Sequence, residues 1–118
     1  MKTIVNAPID LRDRTVVFAR DAIIFSKQIE QNLLTRPIIS QLIRSSTSIG
    51  ANFIEAKDAA SKKDFRNKVL ISKKEASETK YWLSLCEEFT DSANLAHLQQ
   101  ECQEIILILQ QIINTLSH

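Results

Sequence analysis

Apolar residues recur at helical spacing in four successive stretches of the chain. In the first, Leu11, Phe18, Ala22, Phe25, Ile29 and Leu33 form one row, and Val16, Val17, Ile23 and Ile24 widen it. Pro8 and Asp10 precede this row as start signals, so a helix is predicted over about 11–33. The second stretch carries Ile39, Leu42, Ser46, Ile49, Phe53 and Ala56, a heptad seam of alternating steps of three and four. Thr35 as N-cap and Pro37 in the first turn place that helix over about 36–57. The third row is Phe65, Val69, Ser72, Ala76, Thr79, Leu83 and Cys86. A Ser61 N-cap with Asp64 three residues on opens it, and the helix is predicted over about 61–89. The fourth row, after the polar turn of residues 90–94, is Leu95, Leu98, Cys102, Ile105, Leu109, Ile112 and Leu116, giving a helix over about 94–116. Four long helices with short links predict an all-α, antiparallel up-down-up-down four-helix bundle that takes in residues 1–118 as one domain.

The second helix has its weakest formers at its centre. Ser45, Ser46, Thr47 and Ser48 are followed by Gly50, the only glycine of the chain. Hydroxyl side chains compete with helical hydrogen bonds, and glycine costs about 1 kcal/mol in a helix interior. A helix that is thin at this point is predicted to meet a closely packed neighbour, with Ser46 at a close crossing.

Composition narrows the class further. One glycine and two prolines in 118 residues are too few for a sheet protein, which needs turn residues at regular intervals. No apolar run reaches the roughly 18 residues of a membrane span, and the first residues lack the apolar stretch of a signal peptide. A cytoplasmic protein that does not enter membranes is therefore expected. Cys86 and Cys102 lack metal-type spacing and read as buried small hydrophobes. Charge is unevenly placed. All fifteen basic residues lie at or before Lys80, against nine acids there, a surplus of six; the remainder carries five acids and no base. Complementary helix faces, within a bundle or between subunits, account for such a split, as would a basic surface for nucleic acid.

The segment of residues 41–56, QLIRSSTSIGANFIEA, resembles the signature of the bacterial four helix bundle protein family, the 23S ribosomal RNA intervening-sequence proteins. Gln41, Leu42, Arg44, Ser45, Ser48, Ile49, Asn52 and Glu55 carry the match. Phe53 stands for the usual isoleucine and Ala56 for the usual glycine. Ser61, Lys62, Asp64, Phe65, Glu75, Glu78, Thr79, Tyr81, Trp82 and Leu83 are similar to the family's third helix. The resemblance spans about residues 11–116. It implies a non-catalytic protein without cofactor that assembles as a homopentameric ring. A branch of relatives assists diversity-generating retroelements by binding nucleic acid.

The residues offer little reaction chemistry. Di-iron bundles need Glu-x-x-His on two helices, and neither His97 nor His118 follows a glutamate by three. Gly-rich phosphate loops and Cys–His clusters are missing from the sequence. Glu75 with Glu78 and Glu101 with Glu104 resemble the magnesium-binding pairs of helical pyrophosphohydrolases, but both pairs flank the seam rather than occupy it. Such carboxylates are expected to pair with Lys or Arg across helices. Arg44, Ser45, Ser48, Asn52 and Glu55 lie along one side of the second helix and read as a polar network that fixes packing. Lys57, Lys62, Lys63, Arg66 and Lys68 surround the turn between the second and third helices and are the candidate nucleic-acid contacts. Two functions follow: a self-assembling scaffold that binds other proteins, with no metal and no small-molecule substrate, or an accessory protein holding nucleic acid weakly through its backbone. Where the acids of the fourth helix point decides between them.

Overall fold

The computed structural model describes residues 10–116. Its elements are α1 (Leu11–Lys27), α2 (Thr35–Lys57), α3 (Lys62–Leu85), a single 3-10 turn at Cys86–Glu88, and α4 (Ala93–Leu116). The described residues form no strand. Each helix packs on two others, in the cyclic order α1, α2, α3, α4, which makes a four-helix bundle.

Neighbouring helices run in opposite senses. Passing from Arg14 through Asp21 to Gln28 along and just beyond α1, the partners on α4 step back from Glu101 through His97 to Asn94. Passing from Ser45 through Ile49 to Glu55 on α2, the partners on α3 step back from Thr79 through Ser72 to Lys68.

The helix starts are set by short side chains that accept from orphan amides. Asp10 accepts from the Arg12 amide at 3.2 Å, and Ser61 from the Asp64 amide at 3.0 Å. Pro8 lies outside the described residues. Thr35 is not the N-cap expected of it. Asn32 does that work from three residues upstream, its Oδ1 accepting from the Leu34 and Thr35 amides at 2.9 and 3.0 Å. Thr35 is the first residue of α2; its hydroxyl donates to the Glu30 carbonyl at 2.7 Å and accepts from the Asn32 amide at 2.9 Å.

This knot also explains why α1 stops at Lys27 and not near Leu33. Local hydrogen bonds of Asn32 and Thr35 replace helical ones, as these side chains do where a chain leaves a helix. Leu33 and Leu34 are left 85% and 74% exposed, so Leu33 is not in the core row. The third helix likewise ends earlier than expected, with Cys86–Glu88 tightening into the 3-10 turn before residue 89.

Most other seam positions are buried as spaced, while Ile29, Phe65 and Leu116 are only partly covered. Ile39, Leu42, Ser46, Ile49, Phe53 and Ala56 of α2 all lie in the interior, as do Val69, Ser72, Ala76, Thr79 and Leu83 of α3. On α4 the stripe changes row at its end: Ile113 is buried, and Ile112 is only partly so. A straight helix drifts by about 20° per heptad, so after several heptads the neighbouring position takes over. Ile113 therefore belongs to the core.

The small residues of α2 sit where two helices approach. Gly50 has ordinary helical backbone, so its role is space. A Cβ there would lie 2.8 Å from Thr15 Oγ1 and 3.1 Å from Thr15 Cβ on α1. On the adjoining face, Thr79 Oγ1 donates to Ser45 Oγ at 2.8 Å, and Ser72 Oγ donates to the Ile49 carbonyl at 2.7 Å. Ser46 is fully buried between these contacts, its hydroxyl 3.3 Å from the Ile43 carbonyl.

Candidate functional site

Two outer seams of the bundle carry the same device: an arginine on one helix held by two glutamates, three residues apart, on the facing helix. Between α1 and α4, Arg14 Nε donates to Glu101 Oε2 at 2.6 Å. Its Nη2 donates to Glu101 Oε1 at 2.9 Å and to Glu104 Oε1 at 2.6 Å. Between α2 and α3, Arg44 Nη1 donates to Glu75 Oε1 at 3.2 Å and Nη2 bonds to Glu78. Arg44 Nε donates to Gln41 Oε1 at 3.0 Å, and the Trp82 indole donates to Glu78 Oε2 at 3.1 Å. Spacing i, i+3 puts both carboxylates of a pair on one helix face, and the planar guanidinium spans them.

The electrostatics follow from these contacts. The Trp82 indole and then Arg44 hold the Glu78 carboxyl below its ordinary value. Arg14 and then Gln100 do the same for Glu104. Arg14 is pushed up, chiefly by Glu101. Burial raises Cys86 to about 11 and Cys102 to about 12, so both thiols are protonated at neutral pH.

The geometry separates the two acidic pairs. Glu75 and Glu78 face α2, whereas Glu101 and Glu104 face α1, and each pair closes on its own arginine. They do not converge on a shared cation, and no His, Cys, Asp and Glu group among the described residues is arranged to hold a metal ion. Cys86 and Cys102 are free and buried.

Of the residues read as a polar network, Arg44 is tied to α3 as described. Ser48 donates to the Arg44 carbonyl at 2.7 Å, and Asn52 Nδ2 to the Ser48 carbonyl at 2.8 Å, continuing a line along α2. Glu55 extends this line to α3 through Lys68 at 2.8 Å. Ser45 departs from it: its hydroxyl is buried against Thr79 rather than aligned with the outer row. What the sequence did not reveal is Arg14, whose partners are 87 and 90 residues away. The signal was the i, i+3 glutamate pair on α4, which needed a cation opposite it.

Of the basic residues around the α2–α3 turn, Lys57, Lys62 and Lys63 are exposed. The Lys57 ammonium stands 5.7 Å from the centroid of the Phe53 ring, Lys68 is paired with Glu55, and Arg66 is partly buried. Glu101 and Glu104 of α4 bond to Arg14, not to these lysines.

Fold and site together define an all-α bundle whose buried face is mainly apolar, with a few buried hydroxyls, and whose polar pairs join helix to helix. The family model for 23S rRNA-intervening sequence protein matches residues 9–111, and the chain belongs to that family. A solved structure from Bacteroides thetaiotaomicron, a protein with unknown function from the S23 ribosomal protein family, is 34% identical. The match covers 88% of this chain and 98% of that one, with a TM-score of 0.77. No curated protein matches the chain.

Proposed function

We propose that the protein is a non-catalytic, self-assembling helical module. The observation that carries this reading is the outer face of α1 beside α4. There Val17 and Ile24 are 54% and 53% exposed. Ile24 also lines a groove of about 140 Å³ with Asp21, Phe25, Asn94, His97 and Leu98. Farther along α4, Ile108 and Ile112 are only partly covered. Apolar side chains in a row beside a groove favour burial against another protein surface, and a second copy of the chain is the partner that is always present. The family resemblance adds five as the subunit number. The arginine-closed glutamate pairs favour a structural over a reactive role for the carboxylates. Sedimentation velocity across micromolar concentrations tests this: a closed oligomer is expected, and a monomer throughout would overturn it.

A second reading has its own support. Because the α4 carboxylates are engaged by Arg14, the exposed Lys57, Lys62 and Lys63 at the α2–α3 turn keep their field. Nucleic acid held through its phosphates fits this surface, and such binding would weaken steeply with salt. The protein would then act as an accessory that presents several copies of the turn on one particle, in a compartment where nucleic acid is exposed, which is the cytoplasm.

A further inference from the structure

We infer that the nucleic-acid contact runs along the outer face of α3 as a straight basic track, with a duplex backbone as its ligand; this rests on the second reading above. The observation is how α3 sorts its charges. Its three acids lie toward α2. Glu75 and Glu78 meet Arg44, and Asp64 contributes its charge to Lys68 on the same side. Ala76 faces α4, its carbonyl 3.2 Å from Cys102 Sγ. At about 100° per residue, Lys62, Arg66, Lys73 and Lys80 fall in one row just beyond Ala76, on the side away from Glu75. Lys63, Lys74 and Tyr81 form a second row outside it, with Lys74 bordering Glu78, whose carboxyl it helps to lower. Six basic residues thus share one flank of the helix with no acid of α3 between them.

The neighbouring helix leaves this flank positive. The α4 row that continues from Gln99, which bonds to Glu87, is Gln103, Ile106 and Gln110, and it is uncharged. None of the ion pairs among the described residues involves Lys62, Lys63, Lys73, Lys74 or Lys80. Arg66, Lys73 and Lys80 recur every seven residues, a rise of about 10.5 Å per step. A rigid row with this spacing meets the regularly placed phosphates of a duplex better than a flexible single strand. Tyr81, 55% exposed at the far end of the track, is the one aromatic on this flank and supplies no stacking platform. The assembly face proposed above lies on α1 and α4, so the track stays open in an oligomer.

The test is fluorescence anisotropy with labelled duplex DNA, duplex RNA and single strands, from low to physiological salt, using the full chain. Two double variants carry the same charge change on different faces: Lys73→Glu/Lys80→Glu on the track, and Arg12→Glu/Arg36→Glu at exposed positions of α1 and α2. Lys73→Gln/Lys80→Gln removes charge without reversing it, and thermal melts confirm folding of all three. Wild type should bind either duplex, with a log–log salt slope steeper than −2, since each phosphate contact contributes about −0.9. The track variants should bind at least tenfold more weakly at low salt, with a slope shallower by roughly 2, as two lost contacts require. The Arg12→Glu/Arg36→Glu variant should stay within about threefold of wild type. Equal losses from both faces would overturn the track while leaving nucleic-acid binding standing, as would preference for single strands. Wild type that binds nothing at low salt would remove the underlying reading together with the track.

Discussion

Gly50 and Thr15 set the distance between α1 and α2. Alanine at 50 gains about 1 kcal/mol in helix propensity but places a Cβ 2.8 Å from Thr15 Oγ1. Thr15 is 1% exposed and its hydroxyl is fixed by a 2.7 Å bond to the Arg12 carbonyl, so it has little room to give. Overpacking of this kind costs about 1–3 kcal/mol. Gly50→Ala should therefore lower stability in urea unfolding, and Thr15→Ala/Gly50→Ala should recover part of the loss; equal stability of the two would place the clash elsewhere. Ser46 offers a second check. It is wholly buried, so Ser46→Leu should cost about 1–3 kcal/mol by overpacking, whereas Ser46→Ala should melt close to wild type. An unchanged melting temperature for the leucine variant would contradict the close crossing.

At the scale of helix pairs, the two arginine clamps differ in exposure. Arg14 is 19% exposed and Arg44 43% exposed. An exposed ion pair contributes about 0–1 kcal/mol, while hydrogen bonds to charged groups shielded from water contribute about 1.5–3 kcal/mol. Arg14→Ala should accordingly destabilise more than Arg44→Ala, and hydrogen exchange should report α1 opening first in the Arg14 variant. Acid acts on the same contacts. Glu78 and Glu104 have carboxyls lowered in the folded state, so their contribution is present above the ordinary carboxylate value. It is lost as pH falls through their lowered values, and melting between about pH 5 and 2 should show wild type losing more stability than Arg14→Ala. These seams were half legible in the sequence. The i, i+3 glutamates announced a cationic partner, and Arg44 stood in the quoted segment. Arg14 was hidden because the pairing joins helices at opposite ends of the chain. Helix rows were readable wherever burial enforced the period, as along α2. They failed at residues 28–34, where the hydrogen bonds of Asn32 and Thr35 overrode an apolar row that ran on to Leu33.

For the whole molecule, the leading expectation is assembly through the α1 and α4 surface. Val17→Asp/Ile24→Asp places charge on that face while leaving the core rows untouched, so it should shift sedimentation toward monomer with little change in helical content. A variant that keeps the wild-type oligomer would move the interface away from α1. The basic track on α3 belongs to the same scale, because an oligomer multiplies weak phosphate contacts that a single copy could not hold. Overall architecture could be read from four apolar periodicities and the shortage of turn residues. Subunit number could not, since it depends on the angle between two surface patches, and a linear pattern of residues carries no such angle.

The contact between Gly50 and Thr15 also bears on how this chain can change over generations. A better helix former at position 50 is reachable without a damaged intermediate only if position 15 shrinks first. Taken in the reverse order, the same two substitutions pass through a protein with its first two helices pushed apart. The glycine is thus kept by the order in which mutations can arrive, and related chains should show a larger residue at 50 only beside a smaller one at 15.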